Sequence, residues 1–312
     1  MKFNRLLNHP RYFRYAFIIV MVFSLIINIL LPETKSDLFI LYIFGSIFLG
    51  LGFYDRPVWL IIVLAFLIVI CRFFLIPEPM LGILTFVTLL FTYILITFIS
   101  VGLMKHFQQI QRDNIKLIHA LANALDSRDP YTMNHSKNVA QYSVLIAKKL
   151  RLTDELCKVI HIGGLLHDIG KIGIPEYVLN KTGKLSKEEY EIIKRHPTLG
   201  YEMIKHIDSF NESGVLDIIL YHHERFDGKG YPKGLKGTEI PLTARIVAIA
   251  DAFDAMSSQR IYRDELKIDD ILSELISNKG KQFDSDLVDT FIDLIEKGNT
   301  FFKEKQRFTL ME

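Results

Sequence analysis

The first hundred residues are written almost without charge, and this constrains the chain more than any other feature. Tyr15–Leu31, Leu38–Tyr54 and Met80–Met104 contain no charged side chain, and Val58–Ile76 contains only Arg72. A bilayer crossing takes roughly 17–25 apolar residues. A soluble core helix would interleave a polar face, and these runs show none. One such run alone would fit a signal peptide. Four in succession, separated by LPETKSD, YDRP and PEP, predict a four-span transmembrane segment over residues 1–104.

The positive residues set its orientation. Lys2, Arg5, Arg11 and Arg14 precede the first run, Arg56 lies in the second loop, and Lys105, Arg112 and Lys116 follow the fourth. The other two loops carry Glu33, Lys35, Asp37 and Glu78. Both ends of the chain are therefore expected on the cytoplasmic side. Arg72, near the outer end of the third run, is expected to snorkel to the interface. Cys71 and Cys157 then fall in separate compartments, so no disulfide is expected. The formal net charge of +2 points to no particular partner, and no DNA or RNA polymer is expected.

After residue 104 the chain turns charged and helical. Leu103, Ile110, Leu117 and Ala124 recur every seven residues, with Phe107, Asn114 and Leu121 as a companion series. This is a short heptad seam with one polar position on a linker helix over 105–126. It either joins two copies in a parallel dimer or packs on its own domain. Val139, Tyr142, Ile146 and Leu150 stand at helical spacing over 138–152. Ser186 and Glu189 form a capping box. His196 precedes Pro197, which biases it out of the helical region and places it at a helix junction. Residues 225–241, rich in Gly and Pro, read as a loop; Leu242–Met256 reads as a buried helix. The fold class is therefore all-α.

His167 and Asp168 in HDIGKIGIP, and His222 and His223 in HHERFDGKGYP, are poor core material. Such groups lose hydration on burial unless something binds them, and a metal ion is the commonest something. Asp251 within AIADAFDAM is costly to bury as a bare ion. With His135 and His196, these make seven candidate ligands. Asp254, one turn beyond Asp251, is placed to hold a ligand or accept a hydrogen bond. The remaining histidines, His9, His106, His119, His161 and His206, read as ordinary core or surface groups. Imidazole combined with carboxylate suits iron, manganese or zinc.

Five segments, RDPYTMNHS, HDIGKIGIP, KRHPTLG, HHERFDGKGYP and IPLTARIVAIADAFDAMSSQRIYR, occur in the order and spacing of the HD-GYP branch of the HD phosphohydrolase superfamily. Residues 118–296 resemble that branch, with 297–312 left as a charged tail. The resemblance implies an all-helical cytoplasmic phosphodiesterase acting on cyclic di-GMP, yielding pGpG or GMP. It implies two divalent ions, the first on His135, His167, Asp168 and Asp251. The second would lie on His196, His222 and His223, with Asp168 bridging both. Lys171 would neutralise charge on the reacting phosphate, and Tyr231, Arg260 and Arg263 would contact substrate.

Some family members bind a third metal through a glutamate four residues before the first histidine. Tyr131 stands there, so two ions are expected, and the end product stays open. Two rival readings remain. Another HD nucleotide phosphohydrolase would need only His135, His167, Asp168 and Asp251. A non-catalytic dinucleotide or partner receptor would be expected to lose ligands.

Overall fold

The computed structural model describes residues 6–30, 38–76, 82–128, 134–257 and 267–297. Among them the regular elements are helical, and extended pairing is confined to an isolated bridge between Lys279 and Phe283. The chain divides into two compact units, Met1–Ile115 and Lys116–Glu312.

The first unit holds α1 (Pro10–Leu30), α2 (Phe39–Phe53), α3 (Val58–Leu75) and the start of α4 (Ile83–Asp126). Three of these, α1, α3 and α4, are long and apolar enough to cross a membrane. Helix α2 has only 15 residues, or about 22 Å at 1.5 Å per residue, against a hydrocarbon core of about 30 Å. The packing is inverted relative to a soluble bundle. Ile19, Phe23, Phe66, Phe74 and Phe91 point outward, whereas Ser24, Asn28, Ser46, Thr97 and Ser100 are buried. Arg72 departs from expectation. Its side chain is 7% exposed and an Nη donates to the Ile76 carbonyl at 3.4 Å, so it turns inward instead of snorkelling. The carbonyls at a helix C-terminus carry partial negative charge and attract a cation held there.

Helix α4 runs unbroken for 44 residues, so the expected linker rod and the fourth apolar run are one element. Its seam positions Leu103, Ile110, Leu117 and Leu121 are exposed. A different stripe faces the second unit's core. Ile118 and Ala122 pack with Ala140 and Leu165. Packing on its own domain thus uses positions outside the heptad series.

The second unit contains α5 (His135–Lys149), α6 (Asp154–Leu166), a 3₁₀ turn (Ile169–Gly173), and α7 (Glu176–Leu179). Next come α8 (Lys187–Ile193), α9 (His196–Ile204), α10 (Asp208–Ser213), α11 (Val215–Tyr221), α12 (Leu242–Ser257), α13 (Ile268–Ser277) and α14 (Ser285–Lys297). Helix α5 begins three residues earlier than the apolar spacing alone marks, because His135 and Ser136 are buried polar residues. Ser186 and Glu189 form the expected capping box on α8. Loop 225–241 lacks regular structure apart from one 3₁₀ turn at Gly237–Glu239.

Val139, Tyr142, Ile146, Ile160, Ile218, Val247, Phe253 and Phe291 form one apolar core. That core clamps α5, α6, α11 and α12, whose ends or inner faces carry the polar residues described next. Gly170 is required by close approach, since a Cβ there would stand 1.9 Å from the His196 carbonyl oxygen. Only glycine lets the turn after α6 touch the start of α9.

Candidate metal centre

Five structural elements deliver seven side chains to one place. His135 opens α5, and His167 and Asp168 follow α6. His196 lies at the expected helix junction, but as the first residue of α9 it is itself helical, because Pro197 follows in the first turn, where its missing N–H costs no bond. His222 and His223 follow α11, and Asp251 projects from the middle of α12. They form two groups able to hold a cation. One is His135, His167 and Asp251; the other is Asp168, His196, His222 and His223.

Asp168 stands between the groups. One oxygen, Oδ1, lies 3.1 Å from His196 Nε2 and 4.0 Å from His222 Nε2. The other, Oδ2, lies 3.2 Å from His167 Nε2 and 3.9 Å from His135 Nε2. Asp251 Oδ1 lies 3.3 Å from His135 Nε2 and 3.9 Å from His167 Nε2. Asp251 keeps 20% of its side chain exposed, which leaves the cluster an open side.

The ring orientations are fixed from behind. Nδ1 of His167 lies 2.8 Å from the Gly164 carbonyl, that of His196 2.8 Å from Ile193 O, and that of His222 2.9 Å from Ile219 O. A carbonyl only accepts, so each Nδ1 carries the proton and each Nε2 turns a lone pair inward. His135 Nδ1 lies 2.7 Å from Asp254 Oδ2, the backing role foreseen for Asp254. Two features then call for a cation. His167 Nε2 is buried and, though 3.2 Å from Asp168 Oδ2, has no partner in hydrogen-bond geometry. The Nε2 atoms of His196 and His222 face each other at 3.3 Å, and two lone pairs at that distance repel unless a positive charge lies beside them. The donor set therefore fits divalent metal.

The acid–base balance leads to the same conclusion. Burial lowers the His135 pKa, but hydrogen bonds and charge from Asp251 and Asp254 outweigh it and raise the group to about 10. His167 is raised against its burial by the Asp168 charge. Asp168 is held well below the usual carboxylate range, because Lys171 and the surrounding imidazoles outweigh its desolvation. His223 is pushed down to about 4 by burial and by His196. His222 is likewise lowered well below its ordinary value, by burial and then His223. Carboxylates hold positive charge on His135, while burial keeps His222 and His223 neutral.

Lys171 lies in the 3₁₀ turn with Nζ 2.6 Å from Asp168 Oδ2. The Tyr231 ring stacks on His223 with centroids 4.9 Å apart, and Lys194 stands 5.5 Å over the same ring. A Cβ on Gly230 would lie 2.3 Å from Arg225 N, so only glycine brings Tyr231 this close. Arg260, Arg263 and Tyr131 lie outside the described residues. His119 and His161 pair with each other at 5.5 Å and join neither group.

Three supporting residues escaped the sequence reading. Glu224 is 3% exposed, and its carboxylate accepts from the backbone N–H of Lys233, Gly234 and Leu235 at 2.6, 3.1 and 3.0 Å. It pins the loop that carries Tyr231. Asp126 accepts from the Oγ and N of Ser136, beside His135. Arg128 donates to the carbonyls of Lys171 and Ile172 at 3.2 and 2.9 Å. The available signal was an acid directly following the histidine pair and preceding a glycine-rich loop.

Residues 119–287 match the HD domain family model. A cyclic di-GMP phosphodiesterase response regulator of Xanthomonas campestris pv. campestris is 40% identical over 191 residues, covering 61% of this chain and 50% of that protein. A cyclic di-GMP phosphodiesterase of Thermotoga maritima is 41% identical over 190 residues, covering 61% and 52%. A 3'3'-cGAMP-specific phosphodiesterase of Vibrio cholerae is 34% identical over 198 residues, covering 64% and 37%. The chain thus spans about half the length of these curated relatives, or less.

Proposed function

The chain belongs to the HD domain family, and on that premise we propose that it is a membrane-bound phosphodiesterase hydrolysing cyclic di-GMP to pGpG or GMP. The observation that carries this reading is Asp168, whose two oxygens each face a different histidine group. Two divalent ions, iron or manganese, would be held by His135, His167, Asp168 and Asp251, and by Asp168, His196, His222 and His223. When bound, such a pair supplies Lewis acidity to a phosphoryl oxygen and a water acidified toward neutrality.

The chain's own residues do the positioning. Carbonyls and Asp254 behind the imidazoles hold the ring planes, so no reorganisation is needed during reaction. Lys171 holds a proton and a full positive charge beside Asp168, where it offsets negative charge growing on the phosphate oxygens. Tyr231, with Arg260 and Arg263, contacts the substrate. In the overall change the water oxygen bonds to phosphorus, the ribose oxygen leaves, and the water proton ends on that oxygen.

The apolar outer face of the first unit supports insertion in a membrane, and the positive residues flanking its apolar runs support an inner-membrane topology with both ends cytoplasmic. The four-span count rests on α2 being completed by flanking residues. The exposed seam from Leu103 to Leu121 supports a parallel homodimer through α4. Similarity to a relative named for 3'3'-cGAMP makes that dinucleotide the competing substrate.

The test is anaerobic purification of the full chain in detergent, elemental analysis, and chromatography of products from both cyclic dinucleotides. Two equivalents of iron or manganese with conversion of cyclic di-GMP is the expected result. Full metal loading without hydrolysis of either nucleotide would establish a receptor instead.

A further inference from the structure

The first unit carries a second polar site that the hydrolytic chemistry does not use. At the end of the bundle where α1 begins, a pocket of about 610 Å³ is lined by Tyr54, Asp55, Arg56, Lys105, His106, Gln109 and Arg112. The α2–α3 loop supplies three of these residues and α4 the other four. Asp55 is the lining's carboxylate, and Arg14 covers it with 2.7 Å contacts to both oxygens. Arg14 is itself anchored through Nε to the Gly52 carbonyl at 2.7 Å. Arg56, Lys105 and Arg112 meet no carboxylate within the described residues; Arg112 reaches only the neutral Gln109 oxygen, at 2.8 Å. The pocket therefore presents concentrated positive charge whose one internal counter-charge is already taken.

Its depth is marked by aromatics. Trp59 opens α3 just after the lining loop, and Tyr12 and Tyr15 lie on α1 within a turn of Arg14; they are 66%, 56% and 62% exposed. Exposed Trp and Tyr at one end of apolar helices mark the headgroup layer. A cationic pocket at that level takes a phosphate-bearing group. Its source at that depth is a lipid.

We propose that Arg56, Lys105, His106 and Arg112 form a binding site for the phosphate headgroup of an anionic phospholipid. The inference rests on the membrane reading above. Lys105 and Arg112 lie on the first unit's part of α4, and Arg56 on the loop that faces it.

Trp59 is the chain's single tryptophan and serves as the reporter. The full chain in neutral detergent is titrated with phosphatidylglycerol, with phosphatidylcholine and with inorganic phosphate, reading Trp59 emission and lipid retained in native mass spectra. Phosphatidylglycerol is expected to be retained preferentially. The triple variant R56Q/K105Q/R112Q should lose that preference by about 100-fold, from roughly 1 kcal/mol per cation at a membrane surface, with helix content unchanged. K105R should keep it. Equal retention of both lipids, or an unchanged preference in the triple variant, overturns the site. Inorganic phosphate that saturates the Trp59 response and displaces phosphatidylglycerol makes it a free-phosphate site and overturns the lipid assignment. Equal uptake into vesicles of either lipid leaves the membrane reading standing and removes only this site. Failure to enter vesicles of any composition removes both.

Discussion

The two units bury polar groups for opposite purposes. In the first, Ser24, Asn28, Ser46 and Thr97 are scattered through an apolar bundle whose outer face is also apolar. Asn28 reaches from α1 to α2 there, donating to the Tyr42 hydroxyl at 3.1 Å. In the second, buried polarity is gathered at one point, and imidazole after imidazole is fixed from behind by a carbonyl or carboxylate. The Ser46 and Thr97 hydroxyls have no hydrogen-bond partner among the described residues, and a bond such as that of Asn28 is worth only about 0.6 kcal/mol on average in a bilayer. Concentrated polar groups are stable only with a counter-charge. The first pattern tolerates change; the second does not.

The sharpest break of that contrast is Asp168→Ala. It removes the oxygens facing both groups, and metal content and turnover should both fall to background. Retained turnover would end the two-group reading. Lys171→Ala should keep metal in elemental analysis while kcat falls roughly 10²–10³-fold, as for loss of one charge-stabilising donor.

Acidity comes next. Metal-free His135, raised to about 10, is protonated at pH 6 to 8, so coordination through Nε2 must expel a proton. His222 and His223, both lowered, are already neutral and contribute nothing in that range. Metal affinity should therefore rise with pH, by about tenfold per unit for each proton released. Isothermal titration in buffers of different ionisation enthalpy measures the proton count, and zero protons released would refute the assignment of His135.

Glu224→Ala removes the acceptor of three part-buried backbone N–H groups, at less than about 1–3 kcal/mol each because water can replace it. The expected outcome is faster hydrogen exchange at Lys233–Leu235 and a KM raised about tenfold, with metal content intact. The smallest effect belongs to the membrane unit. Asn28→Leu should change stability in micelles by less than about 1 kcal/mol and leave turnover alone. A loss as large as that from Glu224→Ala would show that the first unit's interior is as specific as the second's.

The seven candidate ligands were legible because histidine and aspartate are so rarely placed together inside helical cores without a task. Asp254 was legible for the same reason. Arg72 was misjudged, because hydropathy places a residue along a span but not around its axis. Glu224, Asp126 and Arg128 look like ordinary surface charges in a linear string. Their roles arise from backbone N–H and C=O groups brought to them by distant turns.

Composition and period alone pointed to a helical chain, to a first third apolar enough for hydrocarbon, and to a set of histidines and aspartates suited to a cation. These follow from side-chain hydration and helical spacing, which are local properties. Tertiary structure decided what no local rule contains. It gave each imidazole a partner for Nδ1 and faced the Asp168 oxygens toward opposite groups. It also assigned Asp55 to Arg14, which leaves the neighbouring cations open. Each of those outcomes depends on distances between residues far apart in the chain, and packing alone sets such distances.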